Sequence, residues 1–228
     1  MRTLDFEKGE VLLINKPKDW TSFDVVKKLR NVLRVKKIGH GGTLDPLATG
    51  LLIVCTGKMT KRIEEFQGLN KSYEGVIEIG KTTPSFDLET EFDSESPIDN
   101  VDAKSIRTAI SKLTGSIEQV PPVFSAVKVD GKRAYKSARK NEEVKLKSRQ
   151  VTIEFFNTTH IELPEVHFNI TCSKGTYIRS IANDFGKLLG CGAYLKELRR
   201  TAIGDYKIED SYALTDFVSQ YQKTKNIE

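Results

Sequence analysis

The stretch Gly39-His40-Gly41-Gly42-Thr43-Leu44-Asp45-Pro46-Leu47-Ala48-Thr49-Gly50 constrains this chain more than any other. Its four glycines let the backbone turn where a Cβ would clash and let a ligand come close. Pro46 pushes Asp45 toward an extended conformation and stiffens the turn. A helical pattern stops shortly before the stretch, and the apolar run Leu51-Leu52-Ile53-Val54-Cys55 follows it. A carboxylate and an imidazole are therefore expected on a rigid loop braced by core elements, a common setting for chemistry. A tight turn with a capping aspartate fits the spacing equally well.

Around this loop, strand and helix periods mix. Glu10–Asn15 reads as a strand that Lys16-Pro17 ends. Thr21 or Ser22 can cap a helix whose apolar face is Val25, Val26, Leu29, Val32 and Leu33. Residues 51–56 read as a strand, 59–67 as a helix and 71–80 as an alternating strand. Residues 82–100 hold Pro84 and Pro97, lack periodicity and read as a long exposed loop. A helix over 102–113, strands over 151–156 and 166–172, and helices over 176–189 and 211–221 follow, and 195–206 is ambiguous. With no regular βαβ alternation, the pattern predicts α+β with a mixed sheet. A length of 228 residues suits one domain, or one with a large insertion.

Charge is uneven. Seven acids and no Lys or Arg lie between Ser85 and Asp102, and nine bases against three acids lie between Lys128 and Arg149. A net charge of +5 thus hides a strong local basic field of the kind that binds phosphates, although a solvated basic helix has the same composition. Gly57-Lys58-Met59-Thr60 fails as a phosphate loop, because six residues separate Gly50 from Gly57 and Met59 takes the Ser/Thr position. Cys55, Cys172 and Cys191 form no metal-spaced set, and their number and apolar neighbours suggest reduced thiols. With no apolar leader or membrane-length run, a soluble cytoplasmic protein is expected.

Several motifs in order resemble one family, the bacterial tRNA pseudouridine synthases of the TruB type, which act on the T-arm uridine at position 55. Besides the Gly39–Gly50 signature these are Leu13-Ile14-Asn15-Lys16-Pro17, Lys71-Ser72-Tyr73, Gln119–Lys128, Gly131-Lys132-Arg133-Ala134-Tyr135, Cys172–Ser180 and Leu198-Arg199-Arg200. The resemblance spans about residues 8–215. It implies a pseudouridine synthase fold, with a central mixed β-sheet flanked by helices and a thumb-like RNA-binding insertion at about 118–150. One catalytic domain over 1–228 is implied, without the C-terminal PUA domain of larger members. Pro84 stands where many members have an acid.

The resemblance also implies roles. Asp45 is the nucleophile, Arg179 its charge partner, and His40, Tyr73, Tyr177 and Leu198 line the uridine site. Lys132, Arg133, Lys136 and Arg139 fall in the RNA-gripping insertion and are expected to contact the RNA backbone. Read from the residues alone, Lys61 and Lys128 fit phosphate contacts and solvated lysines equally well. The substrate implied is the T stem-loop of tRNA, taken by a monomer without guide RNA. No cofactor and no metal are needed, because the isomerisation involves neither redox change nor an energy-rich donor. Two other classes stay open on the residues alone: a methyltransferase using Cys172, and a non-catalytic RNA-binding module or RNA chaperone built on the basic segment.

Overall fold

The computed structural model describes residues 4–125, 127–129, 132–134 and 146–225. Strand β1 (Val11–Lys16) leads to helix α1 (Ser22–Leu33), then to β2 (Ile38–His40) and β3 (Thr49–Thr56). A 3₁₀ turn (Gly57–Arg62) opens α2 (Ile63–Gly68), followed by β4 (Lys71–Ile79), β5 (Lys81–Thr82), β6 (Ser94–Glu95), α3 (Ala103–Lys112) and β7 (Gly115–Gln119). The short β8 (Lys128–Val129) and β9 (Lys132–Arg133) precede the long antiparallel pair β10 (Arg149–Glu162) and β11 (Glu165–Cys172). Helix α4 (Ile178–Leu189), β12 (Ala193–Ile203), β13 (Tyr206–Lys207), β14 (Tyr212–Ala213) and α5 (Leu214–Lys225) complete the order. The fold is α+β with a mixed sheet, as the irregular alternation predicts.

The chain forms two compact units, one from Met1–Tyr73 with Leu198–Glu228 and one from Glu74–Glu197. In the first, β1 pairs antiparallel with β3 and parallel with β14. β2 lies antiparallel on β3, and β3 runs parallel to the end of β12. The apolar run of β3 is continuous because both of its faces are covered. Leu52 and Val54 face α1 and α5, packing with Val25, Leu29, Leu33, Phe217 and Val218. Leu51, Ile53 and Cys55 face the other way, onto Phe66, Ile203 and Ile208. α1 begins in a capping box: the Thr21 hydroxyl accepts from the Asp24 N–H, and the Asp24 carboxylate accepts from the Thr21 N–H.

In the second unit β7, β10 and β11 are antiparallel neighbours, with β4 beside β11. α3 and α4 bury Ile106, Ile110, Ile181 and Phe185, and β10 and β11 bury Val151, Ile153, Phe168 and Ile170; Phe156 of β10 packs against both Phe168 and Phe185. Asp102 caps α3 by accepting from the Ser105 N–H. Gly190, with φ +78°, ends α4 in the left-handed conformation that glycine takes without penalty.

One expectation needs correction and one ambiguity resolves. Residues 82–100 are not uniformly exposed: Thr83, Ser85 and Asp87 are buried, and β5 pairs with β6 across the segment. Residues 195–206 are mostly strand, since β12 carries through to Ile203. Of the basic segment, Lys136 and Arg139 lie outside the described residues. Lys128, Lys132 and Arg133 are placed by backbone only, in the antiparallel pair β8–β9.

Candidate active site

In the first unit, the backbone from Gly41 to Pro46 is anchored at every residue. The Gly41 N–H donates to the Ile53 carbonyl at 2.8 Å. Arg200, buried in β12, donates from Nη2 to the Gly42 carbonyl at 3.2 Å, from Nη1 to the Thr43 carbonyl at 3.4 Å and from Nε to the Leu51 carbonyl at 2.7 Å. Ser22 Oγ accepts from the Leu44 N–H at 2.9 Å and donates back to the Leu44 carbonyl at 3.2 Å. The Asp45 carbonyl accepts from the Ala48 N–H at 3.1 Å, and the Pro46 carbonyl from the Asp19 N–H at 2.9 Å. A loop held this way presents the half-buried Asp45 side chain in one orientation, which is what preorganised chemistry needs.

The electrostatics come from Lys16, fully buried at the end of β1. Its ammonium donates to the carbonyls of Pro17 (2.9 Å), Trp20 (2.6 Å) and Pro46 (3.2 Å), so all three N–H bonds are used. Burial pulls its pKa down to about 8, while the carboxylates of Asp45 and Asp19 work in the opposite direction. The cation fixes the loop and lends positive potential to the Asp45 carboxylate.

His40, at the end of β2, is half-buried; its Nδ1 accepts from the Gly42 N–H at 3.3 Å. Burial, then the Arg200 guanidinium, lowers its pKa. The imidazole is therefore neutral at physiological pH, and with Nδ1 accepting, the proton sits on Nε2. Tyr73 stands half-buried in β4, two residues after the buried Lys71. The Lys71 ammonium closes the end of α2 by donating to the carbonyls of Phe66, Gln67 and Leu69. Leu198 is half-buried in β12, and its carbonyl accepts from Thr49 Oγ1 at 3.5 Å. Lys61 is exposed in the 3₁₀ turn. Asp45, His40, Tyr73 and Leu198 thus all belong to the first unit.

Arg179 and Tyr177 belong to the second. Arg179, in the first turn of α4, is buried rather than solvated. It donates to the Ser85 carbonyl at 3.2 Å and the Phe124 carbonyl at 3.0 Å, and its Nε lies 3.5 Å from the Asp87 carboxylate. Asp87 went unread in the sequence because it sits among seven acids in an aperiodic stretch. The signal that would have found it is Thr83-Pro84-Ser85-Phe86-Asp87, where proline between small hydroxyl residues marks a turn; in the structure Phe86 takes a positive φ of 64° there. Tyr177 precedes α4. Gln119 brackets its backbone, accepting from the Tyr177 N–H at 2.8 Å and donating to its carbonyl at 3.1 Å.

The cysteines argue against thiolate chemistry. All three are free and buried, and burial pushes the Cys55 thiol up to about 11 and raises that of Cys191. Among the described residues, no group of three or more His, Cys, Asp or Glu is arranged to hold a metal ion. No helix among them is long and apolar enough to cross a membrane.

Comparison with known proteins gives the class and then the family. The chain superposes on a protein in "Crystal Structure of a Cbf5-Nop10-Gar1 Complex" with a TM-score of 0.76 and 30% identity, covering 98% of this chain but only 58% of that one. It thus spans little more than half of that structural relative. The model described as TruB family pseudouridylate synthase (N terminal domain) matches residues 30–178. The one described as tRNA pseudouridylate synthase B C-terminal domain matches residues 179–228. Fold and sequence define a pseudouridylate synthase. Within that class, the chain belongs to the TruB family. It is 49% identical to the tRNA pseudouridine synthase B of Flavobacterium johnsoniae, over 96% of this chain and 98% of that protein. It is 46% identical to that of Chlorobaculum tepidum, over 97% and 94% respectively.

Proposed function

We propose that this protein converts uridine to pseudouridine in the T-arm of tRNA, at position 55, with Asp45 as nucleophile and without a guide RNA. The observation that carries the assignment is the Asp45 loop, anchored at six consecutive residues and placed in the field of a buried lysine. Names of full-length relatives and the order of motifs support the substrate. The N1–C1′ bond of the uridine breaks, the uracil turns, and a C5–C1′ bond forms; the proton leaves C5 and N1 gains one, so no atom is added. Asp45 attacks C1′ or C6, which requires it ionised and aimed. The target base must leave its stack at a cost of a few kcal/mol. Tyr73 and Tyr177 offer flat faces for it, and Leu198 an apolar wall. Neutral His40 can donate from Nε2 or stack on the RNA loop. Arg179, held by Asp87 and two carbonyls, is proposed as the charge partner that the resemblance implies for Asp45.

A T-arm stem-loop carrying 5-tritiated uridine tests this without any added cofactor. Tritium release with no gain in product mass beyond label exchange is expected. A requirement for a methyl donor would point to a methyltransferase, and RNA binding without release to a binding module. Asp45→Asn should abolish turnover and leave RNA affinity intact, and retained turnover would refute the nucleophile.

Lys61, Lys128, Lys132, Arg133, Lys136 and Arg139 are proposed as backbone contacts. Neutralising Lys132, Arg133, Lys136 and Arg139 together should weaken binding and flatten the log–log salt slope by about 3, at nearly one counterion per phosphate contact. An unchanged slope in a filter-binding salt series would remove this segment from the RNA interface.

A further inference from the structure

The basic segment leaves the sheet at Gln119, the last residue of β7, and rejoins it at Arg149, the first residue of β10. These two residues are direct cross-strand partners. Both of their side chains turn to the same target. Gln119, fully buried, holds the N–H and the carbonyl of Tyr177. The Arg149 guanidinium lies over the Tyr177 ring, 4.6 Å from its centroid. Arg149 Nη2 also donates to the Gly175 carbonyl, two residues before Tyr177. Its buried Nε has no hydrogen-bond partner among the described residues, so the guanidinium is held by that carbonyl and by the ring. Arginine suits this place because its planar cation can stack and donate at once, which an ammonium cannot. Just beyond, Ser180 Oγ donates to the Val120 carbonyl at 2.8 Å, tying the start of α4 to the start of the basic segment.

We propose that Gln119 and Arg149 are positioning residues for Tyr177, one fixing its backbone and the other its ring, at the point where the basic segment joins the sheet. Both act through Tyr177 and touch no reacting atom. The consequence for turnover rests on the assignment of Tyr177 to the uridine site. A ring held within about an ångström of its working place matters because misplacement by that much can cost on the order of a hundredfold in rate.

The test uses the full chain labelled with 3-fluorotyrosine, whose seven tyrosines give fluorine resonances; the one absent in Tyr177→Phe belongs to Tyr177. Arg149→Met and Gln119→Ala should each move that resonance and leave the other six in place. Each should lower the single-turnover rate on the T-arm stem-loop by about tenfold, with RNA affinity changed by less than about threefold. Arg149→Lys, which keeps the charge and loses the planar stack, should not restore the rate. Each substitution combined with Tyr177→Ala should cost no more than Tyr177→Ala alone, because residues acting through one group are not additive. An unmoved Tyr177 resonance, or rate losses that add to that of Tyr177→Ala, overturns the proposal. If Tyr177→Ala itself turns over at the parent rate, the uridine-site assignment fails and the rate consequence falls with it; the fluorine shift still reports separately whether the two residues hold the ring. Arg149→Lys and the six unaffected resonances guard against mistaking misfolding for either result.

Discussion

At Gly50 the backbone adopts φ +104°, and a Cβ there would lie 2.3 Å from the carbonyl oxygen and 2.6 Å from the amide nitrogen of Arg200. Both neighbours are backbone and cannot step aside. Gly50→Ala should therefore destabilise the protein by about 3 kcal/mol or more, read as a lower urea midpoint, and should release the Arg200 guanidinium from the loop it holds. Residues of this kind divide what the sequence discloses from what it hides. Asp45, His40, Tyr73, Tyr177, Arg179 and Leu198 were nameable from motifs. Lys16, Arg200 and Asp87 were not given roles, because a charged residue is read as solvated unless its partners are known. Their partners are mostly carbonyls on distant segments: Lys16 reaches Pro46, and Arg200 reaches Gly42, Thr43 and Leu51. Nothing local in the chain announces those meetings.

Among the elements, α1 contributes more to the site than its apolar stripe suggests. Its first residue, Ser22, is buried and exchanges two hydrogen bonds with Leu44, the neighbour of Asp45. Ser22→Ala would leave the buried Leu44 N–H and carbonyl without that partner. A loss of about 1–3 kcal/mol in stability is expected, together with slower turnover at unchanged RNA affinity; a variant as active as the parent would show that the loop is held well enough without this contact. The strand β2 escaped the sequence because three residues with two glycine neighbours carry no period, and it forms only because β3 offers a free edge. β12 was ambiguous for another reason. Its early residues Ala193, Tyr194 and Leu195 are all buried, while later ones alternate, with Arg199 exposed and Arg200 buried. One strand that changes its surroundings partway along has no single pattern to detect. By contrast α1, α3 and α4 were legible throughout, since caps and apolar faces agree with each other.

For the whole molecule, five titrating groups predict an alkaline stability profile. Lys16 has a folded pKa of about 8 against an ordinary 10.5. Between those values the unfolded chain holds a proton the folded one has released, so stability rises with pH, by up to about 3 kcal/mol. Tyr194, pushed up to about 12 by burial and by Glu78, keeps its proton when folded and loses it near 10 when unfolded, so its contribution falls as pH rises above 10. Lys196, raised by its bonds to Glu165 and Glu78, likewise contributes fully below its ordinary value and less above it. Cys55, pushed up to about 11 by burial against an ordinary 9, and Cys191, raised the same way, keep their protons when folded, so their contributions fall as pH rises above 9. Unfolding free energy should therefore climb from pH 8 and peak near pH 9, and the climb should vanish in Lys16→Met; denaturant titrations across that range decide it. One further consequence concerns order in time. The first unit draws its strands β1 to β3 from the opening quarter of the chain and the end of β12, β13, β14 and α5 from the last residues. During synthesis on the ribosome, β3 emerges early with the edge destined for β12 still bare. More than a hundred residues must follow before Arg200 arrives to secure the Asp45 loop. The Asp45 loop is thus made early and secured late, so a chain that stalls during translation would carry the complete signature motif without the strand that holds it in place.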